Sequence, residues 1–388
     1  MKAYIPFVQS ERDCEILTRF YSDAFAARVS VESCAKTLSK LPAGPKKWID
    51  AGVDALHHAK LSSDYEQYLK QYDRFEELRA AGFYAKPQEN IVDAFVRSVL
   101  TACTQLKADW VSVPQLPYVQ GSERNKINRM MAECCGQWKV ASGFKGKLIL
   151  PIIFTHQEQI RLKSTRSKKI ALAKECHSAS VADGIWVVES TLSDQEGAGP
   201  FETRRFPALI SLHDELGSAI QTDTSVAGPY WGMNLVLWAR GLVSYAAIGL
   251  GNSYQYHIPG TVIKGAKKRV ALPPLRRWAI ASTPLRGWLE KAVQKIPPTD
   301  PYYSEFSNIL KQWDRLSLDG RAQIAGFYKS WFDKIASVPA PGTALALFQD
   351  LTSAYVLGTT LQDLPAAEGA GRKPWKVARQ FMLSCLSA

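Results

Sequence analysis

Three acidic residues stand directly after apolar segments of the chain, at Asp50, Glu189 and Asp223. Two carboxyl groups in one cleft can share hydrolytic work, because one protonates a leaving group or activates water while the other stabilises a positively charged sugar. Asp50 is the strongest candidate of the three, and Glu189 and Asp223 are the candidates for the second acid. Asp50 could instead cap the helix that follows it, and Asp54 could equally be that cap.

Amide and aromatic side chains at similar positions could read a base. Gln115 and Gln157 end two further apolar segments, and an amide offers the paired donor and acceptor that recognise a flipped base. The same glutamines could simply be solvated. His156 could stack on a base or serve only the fold.

A glycine-containing segment follows the last apolar run. Gly249 and Gly251 precede Asn252, but the third glycine and the helix of a dinucleotide-binding fingerprint are missing. Glycines there could allow close approach of a ligand. Tyr254 belongs to an aromatic group that could line a stacking pocket or close the mouth of a barrel. Gly249, Asn252 and Tyr254 are therefore the remaining base-binding candidates.

The apolar segments that carry these residues alternate with helix-like segments. Continuous β-branched and aromatic runs are typical of parallel strands with helices on both faces. We therefore predict an α/β fold, a TIM-like (β/α) barrel with a basic, mainly helical C-terminal region, in which the chemistry lies where the strands end. Seven strands are evident, residues 12–38 suggest one helix, and Gly82–Ala85 is a weak candidate for the eighth strand.

The pattern changes after Pro259-Gly260, where the strand signal disappears. We predict a barrel domain over residues 1–258 and a helical region over 259–388. The helices of that region are predicted at 283–295, 302–316, 319–337, 343–356 and 373–386.

The net charge of +12 is concentrated near the C-terminus, where residues 261–388 carry 18 basic and 9 acidic residues. Basic clusters with interleaved aromatic residues suit phosphates and unstacked bases, although they could also form a solvated face. A second basic run follows His156. The predicted nucleic-acid contacts are Arg161, Lys163, Lys168, Lys264, Lys267, Lys268, Arg269, Arg276 and Arg277.

The composition favours a reduced, cytoplasmic protein. The seven cysteines form no C-x-x-C pair, and no apolar run is long enough to span a bilayer. Because the histidines lack spaced partners and no P-loop or Ser-His-Asp spacing is present, we predict no metal and no cofactor. The expected partner is DNA, with RNA as the alternative, and no membrane.

Three short motifs resemble the tRNA-guanine transglycosylase superfamily, which includes DNA-acting relatives. The family's Asp-Ser-Gly-Gly-Phe motif resembles Ile49-Asp50-Ala51-Gly52-Val53, its Gln-Gly strand end resembles Thr155-His156-Gln157, and a third passage resembles residues 239–246. The resemblance covers residues 45–255 and implies a (β/α) barrel that breaks an N-glycosidic bond. The family's nucleophilic Asp corresponds to Ala246, and its cysteine-rich zinc motif is missing.

The missing nucleophile turns the expectation from base exchange to base removal. The resemblance then implies a DNA N-glycosylase, similar to phage-defence enzymes, that hydrolyses the bond of a flipped, modified base and leaves an abasic site. A base-exchanging transglycosylase, a nucleic-acid-binding barrel without catalysis and a small-molecule lyase are the alternatives.

Overall fold

The computed structural model describes most of the chain. It covers residues 3–30, 37–80, 82–119, 123–156, 158–190, 200–230, 232–250, 256, 258–260, 268–316 and 320–361.

Eight parallel strands close into a barrel in the order in which they occur along the chain. The TIM-like fold predicted from the sequence is therefore confirmed. The strands are β1 (Tyr4–Val8), β2 (Ala26–Ser30), β3 (Lys46–Asp50), β4 (Trp110–Ser112), β5 (Lys147–Phe154), β6 (Gly184–Glu189), β7 (Ser225–Ala227) and β8 (Tyr245–Gly249).

Helices connect the strands and cover the outer face of the barrel, so β1, β2 and β6 are buried along their whole length. The helices of this part are α1 (Glu11–Phe20), α2 (Ser63–Leu69), α3 (Phe75–Arg79), α4 (Glu89–Gln105), α5 (Glu123–Ser142), α6 (Glu158–Arg161), α7 (Lys163–Ser180), α8 (Pro200–Ala219) and α9 (Met233–Ala239).

The strand missing from the sequence prediction is β2, which lies where one long helix was expected. Helix α1 begins after Ser10, whose backbone N–H donates to the Asp13 carboxylate at 3.0 Å, and it ends at Phe20. The apolar run of β2 is interrupted by Arg28, which hides the strand signal. Gly82–Ala85 forms turns, so the proposal of a strand there is wrong.

The strand that Asp223 was expected to end is also misplaced. Ala219 is the last residue of α8, and β7 begins only at Ser225. Asp223 therefore precedes its strand instead of ending it.

Aromatic side chains fill the middle of the barrel. The rings of Phe7, Trp48 and Trp186 meet edge to face, with centroids 5.3–5.7 Å apart. Towards the N-terminal ends of the strands, Trp110 and Tyr245 pack against one another with centroids 6.3 Å apart. The middle of the barrel is thus a packed core.

The C-terminal region has its own core and contains a hairpin that the sequence did not reveal. Strands β9 (Arg269–Leu272) and β10 (Arg277–Ile280) pair antiparallel, which corrects the expectation that strands end before residue 259. The helices are α10 (Thr283–Lys295), α11 (Pro301–Lys311), α12 (Arg321–Ala336) and α13 (Thr343–Leu361). The four predicted helices that lie in the described residues are therefore present, whereas residues 373–386 lie outside them.

The chain divides into two compact units. The first comprises Met1–Leu192 and Ala208–Ile263, and the second comprises Ser193–Pro207 and Lys264–Ala388. The predicted boundary after residue 258 falls just before the last change of unit. Among the described residues, no helix combines the length and apolar character that crossing a membrane requires.

Candidate active site

Asp50 ends β3 and points into the barrel interior, on the same face as Trp48. One carboxylate oxygen forms an ion pair with the Arg28 guanidinium, and the other accepts the backbone N–H of Gly52 at 3.0 Å. Asp50 is 5% exposed. Both oxygens are thus held in place, which suits a fixed negative charge better than a group that moves protons.

Arg28 reaches the same place from β2. Its guanidinium carbon lies 4.5 Å from the Phe7 ring centre and 4.6 Å from that of Trp186, so the cation stacks on the aromatic layer. Burial is the largest influence on the pKa of Arg28 and lowers it, but Asp50, Tyr256 and Asp54 together outweigh burial and raise the pKa overall. Among the described residues, the Arg28 Nε has no hydrogen-bond partner.

Asp54 is a second acid at this end of the barrel, and the sequence reading considered it only as a helix cap. Gly52 turns the chain with a φ of +64°, and a 3-10 helix (Val53–His57) follows. Asp54 lies inside that helix, is 4% exposed, and accepts a hydrogen bond from the Tyr256 hydroxyl. The sequence shows that Asp54 lies near Asp50, but Tyr256, the partner of Asp54, lies far along the chain.

The environments of the two acids differ. Burial and the negative charge of Asp50 raise the pKa of Asp54 to about 7, although the Tyr256 hydroxyl and Arg28 act in the opposite direction. Asp50 has the neutralising cation, and Asp54 does not. Near neutral pH, Asp54 can therefore hold or release a proton beside a fixed carboxylate.

Gln115 lies beside the two acids and is held rigidly. Its Nε2 donates to the Asn128 carbonyl at 2.9 Å, while the Asn128 side chain bonds the backbone N–H and C=O of Leu116. Gln115 is 2% exposed, and its Oε1 has no hydrogen-bond partner among the described residues. An unpaired buried acceptor is costly, so this oxygen is suited to a ligand that donates.

These side chains line one small cavity of about 10 Å³, which is room for one water-sized group. The lining residues are Asp50, Ala51, Val53, Asp54, Ser112, Val113, Pro114, Gln115, Pro151, Ile153 and Trp186. The cavity thus brings together two predicted residues, Asp50 and Gln115, and one that the sequence reading missed.

Glu189 does not join them. In register, Trp186 pairs with Pro151 and Glu189 pairs with Phe154. Since Trp186 faces the interior and side chains alternate along a strand, Glu189 faces the surrounding helices. Its backbone N–H bonds the Tyr230 hydroxyl at 3.0 Å. The prediction that Glu189 assists Asp50 is therefore wrong on geometric grounds.

Asp223 lies at the opposite end of the barrel, before β7 begins. It is exposed and lines a cleft of about 540 Å³ together with His213 and Ser244, whose hydroxyl donates to the Asp223 carbonyl at 2.9 Å. Because Asp223 and Asp50 stand at opposite ends of parallel strands, Asp223 is not the second acid either.

The other base-binding candidates are scattered. Gly249 ends β8 opposite Phe7 in register and faces the interior. His156 is exposed in the turn after β5, whose backbone N–H groups are bonded by Gln159. Gln157, Asn252 and Tyr254 lie outside the described residues.

Ala246, the position of the resembled family's nucleophile, pairs with Tyr4 near the start of β8. Gly249 faces the interior, so Ala246 faces outward by alternation. A side chain at this position cannot reach Asp50, so the structure does not support a choice between base exchange and base removal from this position.

The basic run after β5 begins at the C-terminal end of the strands. Lys163 and Lys168 are exposed on α7, whereas Arg161 is half-buried in α6. Arg166, between them, forms an ion pair with Glu215 at 2.5 Å. Lys163 and Lys168 are thus the accessible cations of this run.

Most of the described basic residues in the second unit's cluster are bound by other residues of that unit. Arg276 forms two bonds of 2.6 and 2.7 Å with Asp350, and Arg277 is buried. The guanidinium carbon of Arg269 lies 4.7 Å from the Trp278 ring centre. The assignment of Arg276 and Arg277 to phosphate contact is therefore corrected, since Arg277 is buried and Arg276 is half-buried and paired with Asp350.

Lys268 is exposed and stays a predicted contact. Lys264 and Lys267 lie outside the described residues. The described part of the chain holds no group of three or more His, Cys, Asp or Glu side chains arranged for a metal ion.

Comparisons with known proteins give little. No family model matches the chain, and no curated protein matches it. One solved structure is similar: the enoyl reductase domain of MlnA from the macrolactin biosynthesis cluster of Bacillus amyloliquefaciens. It is 9% identical over 98% of this chain and 94% of that chain, with a TM-score of 0.29, too low to bear on function.

Proposed function

We propose that this protein hydrolyses the N-glycosidic bond of a base in DNA, with Asp54 and Asp50 as its two carboxyl groups. The observation that carries the proposal is the pairing of these acids in one cavity with opposite environments. Asp50 is neutralised by Arg28, and the pKa of Asp54 is raised to about 7. Acids whose environments separate their protonation states are typical of glycosidic hydrolysis.

Each acid has one role in this reaction. Asp54 donates its proton to the departing base nitrogen as the bond to C1′ of the sugar breaks. The Asp50 carboxylate stabilises the positive charge that develops on the sugar. The Asp54 carboxylate then accepts a proton from the water that adds to C1′, which restores the acid and leaves an abasic site.

Gln115 orients the base. Its Nε2 is committed to the Asn128 carbonyl, so only Oε1 is available to a ligand. A base that presents an N–H group to this oxygen gains a hydrogen bond and removes an unpaired buried acceptor. We therefore expect a base with an amino or imino donor.

The two acids are nearly enclosed, and the Tyr256 hydroxyl bonds Asp54. We expect a substrate that reaches Asp54 to displace this hydroxyl. Unstacking and flipping cost least for modified or mismatched bases, so such a base is the expected substrate. The resemblance of Ile49–Val53 to the transglycosylase motif agrees with a reaction at an N-glycosidic bond.

The test uses end-labelled duplexes with plain and modified bases, followed by alkaline cleavage of abasic sites. We expect cleavage by the wild type, loss of cleavage in Asp54→Asn and Asp50→Asn, and retained cleavage in Glu189→Gln. A matching RNA panel separates the two nucleic acids. Incorporation of a labelled free base would instead show exchange. Absence of abasic sites from every substrate would overturn the proposal.

A further inference from the structure

Three side chains meet on the rim of the barrel at the C-terminal ends of β3 and β4. We call His57, Tyr84 and Arg124 the rim cluster. His57 ends the 3-10 helix that holds Asp54 and is three residues from it, one turn in this kind of helix. Arg124 lies in the first turn of α5. The rim cluster is thus a neighbour of the candidate active site but is not part of its cavity.

Among the described residues, the contacts within the rim cluster leave two hydrogen-bond donors available. The Nη1 of Arg124 lies 2.9 Å from Nδ1 of His57. Because arginine can only donate, Nδ1 accepts, and the neutral ring carries its hydrogen on Nε2. The Arg124 guanidinium carbon lies 5.4 Å from the Tyr84 ring centre. The buried Tyr84 hydroxyl has no hydrogen-bond partner among the described residues.

The charge of the rim cluster is not balanced locally. Arg124 forms no ion pair with any residue in the described part of the chain. Burial raises the pKa of Tyr84, while the positive charges of Arg124 and Arg79 act to lower it. Burial, Arg124 and His58 lower the pKa of His57 to about 4, and no carboxylate opposes them. This arrangement of positive charge and hydrogen-bond donors suits an anionic ligand.

We infer that the rim cluster binds a phosphate group of the nucleotide substrate. This phosphate would lie next to Asp54, the acid proposed to cleave the N-glycosidic bond. Arg124 supplies the charge, and His57 Nε2 and the Tyr84 hydroxyl supply neutral donors. The inference rests on the proposed function for the identity of the nucleotide, but the phosphate site itself does not require turnover. Arg79 holds the segment that follows the 3-10 helix, because it donates hydrogen bonds of 2.7 and 2.8 Å to the carbonyls of His58 and Ala59.

The test measures binding with three probes: inorganic phosphate, a nucleoside 5′-monophosphate and a fluorescent oligonucleotide with a tetrahydrofuran abasic analogue. We compare Arg124→Ala and Tyr84→Phe with Arg129→Ala, which removes an exposed arginine of the same helix that pairs with Glu175 at 2.6 Å. We expect Arg124→Ala to weaken oligonucleotide binding about tenfold and to reduce its salt slope by about 1. In the wild type, phosphate should raise the pKa of His57, followed by NMR.

The test distinguishes a free nucleotide from a polynucleotide as the source of the phosphate. Binding of phosphate and mononucleotide without the oligonucleotide supports the rim site and identifies a free nucleotide as its ligand. If Arg124→Ala fails to fold, Tyr84→Phe, which removes only a hydroxyl, decides. Equal binding by Tyr84→Phe, Arg129→Ala and the wild type, with no change at His57, would overturn the inference. Intact phosphate binding without base release would contradict only the proposed hydrolysis.

Discussion

The carboxyl groups of Asp50 and Asp54 repel each other at the C-terminal end of the barrel, and of the two only Asp50 forms an ion pair within the described residues. The repulsion adds to burial in raising the pKa of Asp54 to about 7. One ion pair thus distinguishes two chemically identical side chains four residues apart.

We expect the rate of base release to fall as the pH rises through about 7. Asp54 must be protonated to donate to the leaving base, and its pKa is about 7. The Asp54→Asn variant should lose at least about 100-fold in kcat/KM, the usual effect of removing a general acid. The measurement is kcat/KM from pH 5 to 9. A rate that stays flat across this range would contradict the assignment.

Replacing Tyr256 with Phe should move the alkaline limb of the pH profile to higher pH. The Tyr256 hydroxyl donates to Asp54, which stabilises the carboxylate and lowers the pKa of Asp54. Without this donor, Asp54 keeps its proton to a higher pH. Tyr230→Phe serves as the control, because that hydroxyl bonds the β6 backbone instead. A shift to lower pH would show that the hydrogen bond acts otherwise.

The stability of the first unit should decline between about pH 4 and about pH 7. The folded pKa of Asp54 lies above its unfolded value of 3.8, so the folded state binds the extra proton in this window. The contribution is complete below pH 4 and is lost as the pH rises through about 7, at roughly 1.4 kcal/mol for each pH unit. Urea unfolding of wild type and Asp54→Asn at several pH values measures it, and the variant should lack this slope.

Breaking the Arg28–Asp50 pair from one side should destabilise the fold more than removing both partners. Arg28→Met leaves a buried, unpaired carboxylate, at a cost of about 3–5 kcal/mol. The double change Arg28→Met/Asp50→Leu removes that charge and should recover most of the loss. Denaturant unfolding of both variants decides. A double variant as unstable as the single one would show that the cation–aromatic stacking of Arg28 dominates.

In the second unit, Asp350→Ala should cost about 3–5 kcal/mol of unfolding free energy. Asp350 is buried and accepts from Arg276, from Lys334 at 2.6 Å and from the Trp331 indole at 3.0 Å. Asp314→Ala is the matched control, because its pair with Arg286 is exposed and should contribute less than about 1 kcal/mol. Similar losses in the two variants would contradict the role of burial.

The sequence revealed the long strands because a strand covered on both faces needs a continuous apolar run. It concealed β2, since Arg28 interrupts the run and is stabilised there by Asp50 and by the rings of Phe7 and Trp186. A single sequence carries no sign of such a partnership. The same limit applies to the hairpin β9–β10, whose short strands lie among basic residues.

The candidate site was predictable only in part. Asp50 and Gln115 were found because each closes an apolar run. Asp54 escaped because its environment depends on Tyr256, 202 residues further along the chain. The prediction for Glu189 failed because side chains alternate along β6 and Glu189 faces outward. The prediction for Asp223 failed because β7 begins after this residue. These are register errors, which composition and periodicity cannot correct.

The aromatic layer of Phe7, Trp48 and Trp186 separates the two ends of the barrel. Asp54 lies on one side of this layer, so a proton that leaves it exchanges with solvent at the C-terminal ends of the strands. The cleft around Asp223 is insulated from that exchange. The three rings therefore divide the barrel into two ends, so a substitution that changes the charge at the Asp223 end should leave the protonation of Asp54 unaffected.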